Sequence, residues 1–233
     1  MKSVILGDGI LGSELWSQTK WDIISRKTDN FHAEKSDLEE FLLNHSASSP
    51  LRPKYDVIVN CIANTASYSS DHDQHMAINF TFVQKLVAFC NQHNVKLIHI
   101  STEFVYANNP SPPRETDQPL PDNSHYAKSK LLADYYLSFF SNDYLICRLL
   151  HKENGFSPEN VWDCQTSGDQ VKHIAPLIIH LIKTNQTGIF NVGTGDKTLS
   201  DLSEHSKVIA PPEHVPKDTR MNLEKLQKTR KQI

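Results

Sequence analysis

Short apolar runs alternate along this chain with longer stretches of helical period. Residues 4–6, 55–63, 96–100, 144–150 and 188–192 read as strands, apolar on both faces as the buried strands of a parallel sheet are. Residues 21–26 read as a second strand and 31–33 as a short third one. Between them the period changes. A helix begins at the apolar and small residues Ile10, Leu11, Leu15 and Trp16. Ser36-Asp37-Leu38-Glu39 reads as a capping box that starts a helix burying Leu38, Phe41 and Leu42. A long helix over about residues 73–92 turns Met76, Phe80, Val83, Val87 and Cys90 to the sheet. Another, about 124–140, has Leu131, Leu132, Tyr135 and Phe139 as its apolar side, and further helices are expected over 173–183 and 200–209. Residues 46–53 and 108–122 are proline-containing loops, 152–169 is polar and irregular, and the basic tail 217–231 reads as a solvated terminal helix. Strand and helix alternate at least five times, which predicts an α/β fold with a right-handed, doubly wound parallel sheet.

The first strand breaks into Gly7-Asp8-Gly9-Ile10-Leu11-Gly12. Gly7 permits a tight turn, Gly9 removes the Cβ that would block a pyrophosphate, and Gly12 lets the helix lie close to the strand. The free N–H groups at that helix start then face the anion. An ordinary strand–turn–helix is the competing interpretation. The placement directly behind a strand, and the use of three of the chain's eight glycines, favour dinucleotide binding. The second strand ends in Ser25-Arg26-Lys27, where a carboxylate would accept from the ribose 2′-hydroxyl of NAD. A hydroxyl and a cation instead suit a 2′-phosphate, so Ser25 and Arg26 point to NADP(H) over NAD(H), unless the cations are simply loop charges.

Bulk properties narrow the class. The 233 residues are 38% hydrophobic and 22% charged with a net charge of −3, so no electrostatic case exists for nucleic acid or membrane. Cys61, Cys90, Cys147 and Cys164 form no CxxC pair, which argues against a disulfide framework or a zinc site. The first strand runs directly into the glycine turn with no signal peptide, and no apolar run reaches the ~18 residues of a membrane helix. A soluble, reduced, cytoplasmic protein is expected. His72 and His75 have a metal-compatible spacing but no third ligand, so no metal is expected. His151 and His173 are further candidates for the substrate side.

Tyr126 and Lys130 lie one helical turn apart on one face. An ammonium about 4 Å from a phenol, at an effective dielectric near about 20, stabilises the phenolate by about 4 kcal/mol, or about three pKa units. That would bring the tyrosine near neutrality and make it a proton donor. Thr102 sits just past the preceding strand, at the edge where doubly wound sheets bind ligands, and its hydroxyl can share a substrate carbonyl oxygen with the tyrosine.

The order of these segments resembles a known family. Gly7-x-Gly9-x-x-Gly12, Asp56-Val57-Ile58-Val59-Asn60, Ile100-Ser101-Thr102-Glu103-Phe104-Val105-Tyr106 and Tyr126-Ala127-Lys128-Ser129-Lys130 look like the extended short-chain dehydrogenase/reductases, and among them the dTDP-4-dehydrorhamnose reductases. Gly188-Ile189-Phe190-Asn191-Val192-Gly193 and Thr219-Arg220-Met221-Asn222-Leu223-Glu224-Lys225-Leu226 extend the likeness over most of the chain. The resemblance implies an NAD(P)-binding Rossmann fold over residues 1–150 and a reduced substrate-binding lobe over 151–233, interleaved with the sheet. It implies reduction by NADPH of the 4-keto group of a nucleotide-linked 6-deoxyhexose, as in dTDP-rhamnose biosynthesis. Thr102, Tyr126 and Lys130 would be catalytic, with Lys130 also holding the nicotinamide ribose. Ile62, Ala63 and Asn64 would lie along the cofactor, and Asn79 matches a helix asparagine common in the superfamily.

The residues after Thr102 separate relatives. A 4,6-dehydratase would need acids at both following positions, and a reductase/epimerase of the GDP-fucose type a cysteine where Phe104 stands. Simple keto reduction survives both tests. Three departures remain: a glycine loop one residue shorter than the family's, no evident acid around residues 30–33, and about a helix's worth of chain missing after Leu150. The last leaves the sugar and nucleotide open and keeps an alternative in play, a non-catalytic NADP-binding regulatory subunit. The expected partner is a nucleotide-sugar small molecule, with a homodimer as the candidate assembly.

Overall fold

The computed structural model describes residues 1–43, 54–110 and 112–231. Six parallel strands form the main sheet: β1 (Ser3–Leu6), β2 (Asp22–Ile24), β3 (Val57–Asn60), β4 (Lys96–Thr102), β5 (Tyr144–Leu149) and β6 (Gly188–Asn191). Their spatial order is β6-β5-β4-β3-β1-β2. Every residue of β1, β3 and β4 is buried, because helices cover both faces. On one face α1 (Ile10–Thr19) and α7 (Val171–Lys183) pack through Leu11, Leu15, Ile174, Ile178 and Leu181. On the other lie α3 (Leu38–Leu43), a long helical rod and α6 (His125–Phe140), packed through Leu42, Val83, Leu86, Ala133 and Leu137. The chain leaves β1 toward β2 on one side and returns to β3 on the other. That reversal opens a crevice at the carboxyl ends of β1 and β3.

The rod is not uniform. It comprises α4 (His72–Met76), a π turn at Ala77–Thr81, and α5 (Phe82–His93), where periodicity alone predicts one helix. The extra residue of the π turn carries Asn79 inward, where it is fully buried.

Several expectations are corrected. Residues 31–33 form no strand: Ser25 caps a four-residue helix, α2 (Arg26–Asp29), and Asn30 at φ 55° then turns the chain. Phe31 enters the core edge-on to Phe41, with ring centroids 5.0 Å apart. Ser36 does not open a capping box, because its Oγ accepts from the His32 N–H; Asp37 Oδ1 accepts from the Glu39 N–H at 2.8 Å and caps α3 instead. The loop expected over 46–53 lies outside the described residues. On α6 the buried side is Ala127, Ser129, Lys130, Leu131, Ala133, Asp134 and Leu137, whereas Leu132 and Phe139 are 44% and 80% exposed. Three small residues, Ala127, Ser129 and Ala133, and the ionisable Lys130 and Asp134 share the inner face with Leu131 and Leu137. Residues 200–209 are not one helix: a 3-10 turn at Leu199–Leu202, capped by Thr198 and Asp201, precedes a strand at Lys207–Ile209.

That strand pairs with Asn160–Trp162, and Lys197–Thr198 pairs with Gln165–Thr166, around Val161, Cys164, Leu202 and Val215. This small lobe covers the carboxyl ends of β4 and β5. The tail forms α8 (Glu224–Arg230), whose Leu226 joins the main core. Among the described residues no helix is long and apolar enough to cross a membrane.

Candidate active site

At the reversal point Gly7 adopts φ +99°, and its N–H donates to the Ile24 carbonyl at 2.8 Å, which draws the end of β2 against the turn. A Cβ on Gly12 would stand 2.0 Å from the Gly7 carbonyl oxygen, whereas one on Gly9 would meet nothing within 4 Å. The space above Gly9 is therefore open, and the first turn of α1 has neither a side-chain cap nor an acidic residue. Its N–H groups face a cavity of about 490 Å³. The arrangement fits the pyrophosphate of a dinucleotide: a cradle that a side chain at Gly9 would fill, at the positive end of a ten-residue helix.

The cavity continues past Cys61 and Ala63 to Thr102, Tyr126 and Lys130. Two buried asparagines hold its floor. Asn60 Oδ1 accepts from the Ile62 N–H at 3.1 Å. Asn79 Oδ1 accepts from the Asn64 N–H at 2.8 Å, while its Nδ2 contacts the Asn64 carbonyl and Ser129 Oγ, so the rod, the loop and α6 are joined at one carboxamide. Ser124 caps α6 by accepting from the Ala127 N–H at 3.1 Å, and this fixes the helix start that carries Tyr126.

Of the residues expected at the site, Gly9, Ile10, Leu11, Gly12, Ala63, Thr102, Tyr126 and Lys130 line this cavity. Gly7, Asp8, Ile62 and Asn64 are not in the wall; Gly7, Ile62 and Asn64 hold its turns. Ser25 is a different case. Its hydroxyl is fully buried, accepts from the Thr28 N–H and contacts Thr28 Oγ1, so it closes a turn. Arg26 and Lys27 remain exposed beside it. The acid of this region is Asp29, whose Oδ2 is turned back onto the Ser25 N–H at 2.8 Å.

The tyrosine–lysine pair also departs from expectation. Lys130 Nζ donates to the Ile100 carbonyl at 2.6 Å and lies 3.1 Å from His99 Nε2. Burial lowers its pKa to about 8. Tyr126 is held above the ordinary phenol range by burial, opposed by a hydrogen bond with Thr102 and reinforced by the Glu103 and Asp134 charges. Burial thus dominates at the tyrosine, and the lysine nitrogen is bonded to the Ile100 carbonyl of β4.

Three wall residues follow β5: His151, Lys152 and Glu153. His151 was legible as a candidate; Lys152 and Glu153 could have been found by extending β5 to the ligand-binding edge. Burial pushes His151 down to about 4 and also lowers Lys152. His173 is drawn away, its Nδ1 lying 3.0 Å from Asp169 Oδ1. Phe104 stands edge-on to Tyr126 with centroids 6.1 Å apart. His72 pairs with His125, Nδ1 to Nδ1 at 3.2 Å, and His75 faces Asn79; among the described residues no group of three or more ligands gathers for a metal.

The chain spans about half the length of the curated relatives it matches. It is 34% identical over 168 residues to the dTDP-4-dehydrorhamnose reductase of Escherichia coli, covering 69% of this chain and 50% of that protein. Against the Salmonella typhimurium enzyme of the same name the identity is 28% over 168 residues, with the same shares covered. Among solved structures it superposes on a hypothetical dTDP-4-dehydrorhamnose reductase from Sulfolobus tokodaii with a TM-score of 0.79 at 21% identity, covering 98% and 94% of the two chains. A UDP-glucose 4-epimerase from Thermus thermophilus, in complex with NAD, gives a TM-score of 0.78 at 16% identity, with 98% and 92% covered. These likenesses establish a Rossmann fold. The model of the RmlD substrate binding domain matches residues 1–151, and the chain belongs to that family.

Proposed function

We propose that this chain is an NADPH-dependent reductase of the 4-keto group of a nucleotide-linked 6-deoxyhexose. The observation that carries the reading is a single cavity running from the uncapped start of α1 to Thr102, Tyr126 and Lys130. Similarity to the dTDP-4-dehydrorhamnose reductases of Escherichia coli and Salmonella typhimurium supports the substrate class. Exposed Arg26 and Lys27, with Asp29 occupied by its own turn, support a 2′-phosphate and hence NADP(H). In this reading residues 1–150 carry the cofactor. Residues 151–233 supply the substrate side while lending β6 and α7 to the main sheet.

Gly9 and the first turn of α1 would hold the pyrophosphate, and Ala63 and Lys130 would line the nicotinamide half. A reduced nicotinamide cofactor, when bound there, would supply the hydride. Tyr126 holds the proton that the developing alkoxide requires, and a pKa above the ordinary phenol value keeps it protonated until that oxygen becomes basic. In this reading the Thr102 hydroxyl, at the end of β4, would share the same oxygen. Phe104, against the Tyr126 ring, narrows the access of water.

Tyr126→Phe should lower NADPH oxidation with a dTDP- or UDP-linked 4-keto-6-deoxyhexose by about 10²- to 10⁴-fold while NADPH binding is retained. Undiminished turnover would remove the proton donor and this reading with it. The turning of Lys130 into the sheet joins the shortened segment after Leu150 in favouring a non-catalytic NADP-binding subunit. Tight NADPH binding by the unmodified protein without turnover of any nucleotide sugar would decide for that alternative.

A further inference from the structure

Asn60, His99 and Lys130 form a connected buried set, 1%, 0% and 1% exposed. The direction of each hydrogen bond in it follows from the first. A backbone N–H can only donate, so the Ile62 N–H fixes Asn60 Oδ1 as its acceptor at 3.1 Å. The Nδ2 half of that carboxamide is then the group that lies 3.3 Å from His99 Nδ1, and it too can only donate. His99 Nδ1 must accept. A neutral imidazole in that position carries its proton on Nε2, which lies 3.1 Å from Lys130 Nζ. A nitrogen that receives this N–H offers a lone pair, and only an uncharged amine has one. Its own hydrogens remain free to donate, one of them to the Ile100 carbonyl at 2.6 Å.

We propose that His99 is a positioning residue: oriented by Asn60, it favours the neutral amine of Lys130 over the ammonium in the free protein. The opposite arrangement, an ammonium donating to Nε2, would put the proton of His99 on Nδ1 against the Asn60 amide hydrogens in a site without water access. The surrounding charges leave room for the neutral form. Asp134, one turn further on α6, favours an ammonium, but its Oδ2 is taken by Arg148 Nε at 2.9 Å. Cys61, facing Lys130 from the end of β3, is kept a neutral thiol by burial. Tyr126, one turn back on α6, is a neutral phenol, and an ammonium on Lys130 would hold His99 further below its ordinary value. Burial drives both partners in the same direction, lowering Lys130 and holding His99 well below its ordinary value.

Where Lys130 is uncharged it lends a Tyr126 phenolate no Coulombic support, which adds to the effect of burial on that phenol. Charging Lys130 takes one proton from solvent onto Nζ and forces His99 either to move its own proton to Nδ1 or to lose a partner. The bearing of this on proton transfer rests on the reductase reading; the protonation states do not.

The test is nuclear magnetic resonance of the full chain without cofactor or substrate, with ¹⁵N-labelled histidine and ¹³Cε-labelled lysine, the Lys130 signal being assigned by its loss in Lys130→Met. Lys130 should titrate at about 8, and above that pH His99 should carry its proton on Nε2. In His99→Leu the Lys130 midpoint should rise by about one pH unit, because the donor that occupies the lone pair is gone. A histidine that merely fills space would give no rise, and the added apolar surface would lower the midpoint. An Nδ1–H form of His99 above the Lys130 midpoint, a Lys130 that titrates at its ordinary value, or a fall in the variant would each overturn the proposal. The tautomer is read on the unmodified chain, so a variant that fails to fold leaves the test standing. No turnover is measured, so loss of the reductase reading through Tyr126→Phe would leave these protonation states unchanged.

Discussion

Gly9 and Gly12 lie within one turn of α1 and are glycine for different reasons. At Gly12 a Cβ would collide with the Gly7 carbonyl at 2.0 Å, a contact between two backbones that neither can relieve. Gly12→Ala should therefore destabilise the fold by at least about 1–3 kcal/mol, read as a lower melting temperature without any ligand. At Gly9 the same methyl meets open space, so Gly9→Ala should melt within about 0.5 kcal/mol of the parent. It should nevertheless lose most of the stabilisation that saturating NADPH gives the parent. Equal ligand-induced shifts in the two proteins would argue that no anion sits over Gly9. Spacing alone picked out both positions. It did not reveal that Ser25 is spent on its own turn, because the Thr28 and Asp29 contacts depend on a four-residue helix with no periodic signal. The direction of Lys130 was equally hidden: helical spacing places it beside Tyr126, but a flexible four-carbon chain goes where its hydrogen bonds are.

At the scale of elements, the π turn is the feature with the largest consequence for the site. It brings one asparagine against a loop fifteen residues away in sequence and against α6, fifty residues away. Asn79→Ala would leave the Asn64 N–H and carbonyl without these partners, at a cost of about 1–3 kcal/mol in urea unfolding. Because the same loop includes Ala63 in the cavity wall, NADPH affinity should fall along with stability. A destabilised variant with unchanged affinity would separate the loop from the cofactor site. Most strands were legible as apolar runs, since burial on both faces leaves few polar positions. The inner face of α6 was not, because Ala127 and Ala133 are small and Lys130 and Asp134 are ionisable. Their burial depends on hydrogen bonds to β4 and β5 that no helical periodicity encodes. The segment after Leu202 was misread for a related reason: a three-residue strand gains its stability from its partner, and that partner lies at Asn160–Trp162.

Across the whole molecule, Glu103 ties the site to the small lobe. It is fully buried beside Thr102 and accepts from the hydroxyls of Thr166 and Thr219. Burial raises its pKa from 4.5 to about 8, partly offset by those two hydrogen bonds. Between these values the folded chain binds more protons than the unfolded one. The stabilisation from the protonated acid is thus fully present below the lower value and is lost as pH rises through the upper one, with a slope approaching about 1.4 kcal/mol per pH unit. His99 and His151, lowered by burial, act with the opposite sign below their ordinary value. They are common to parent and Glu103→Gln, so the difference between the two proteins isolates Glu103. Urea midpoints across this range should show the parent losing stability relative to Glu103→Gln as pH rises; parallel curves would place the proton elsewhere. The hydrogen bond from Thr219 spans 116 residues of sequence, and such a link leaves no local trace.

By itself the sequence determined the parts whose physics is short-range: the buried strands, the glycine turn and its helix, the helical spacing of Tyr126 and Lys130, and from their order the doubly wound sheet. Each depends on residues a few positions apart, where backbone sterics and apolar periodicity decide the outcome. Tertiary structure alone decided where protons and free hydrogen-bonding groups lie. Ser25 closes a turn, Lys130 faces His99, Glu103 is sealed under the small lobe, and β6 joins the main sheet from the far end of the chain. Burial sets the cost of charge, and burial is a property of the assembled layers, so the chemistry of this cavity becomes legible only once the chain has closed around it.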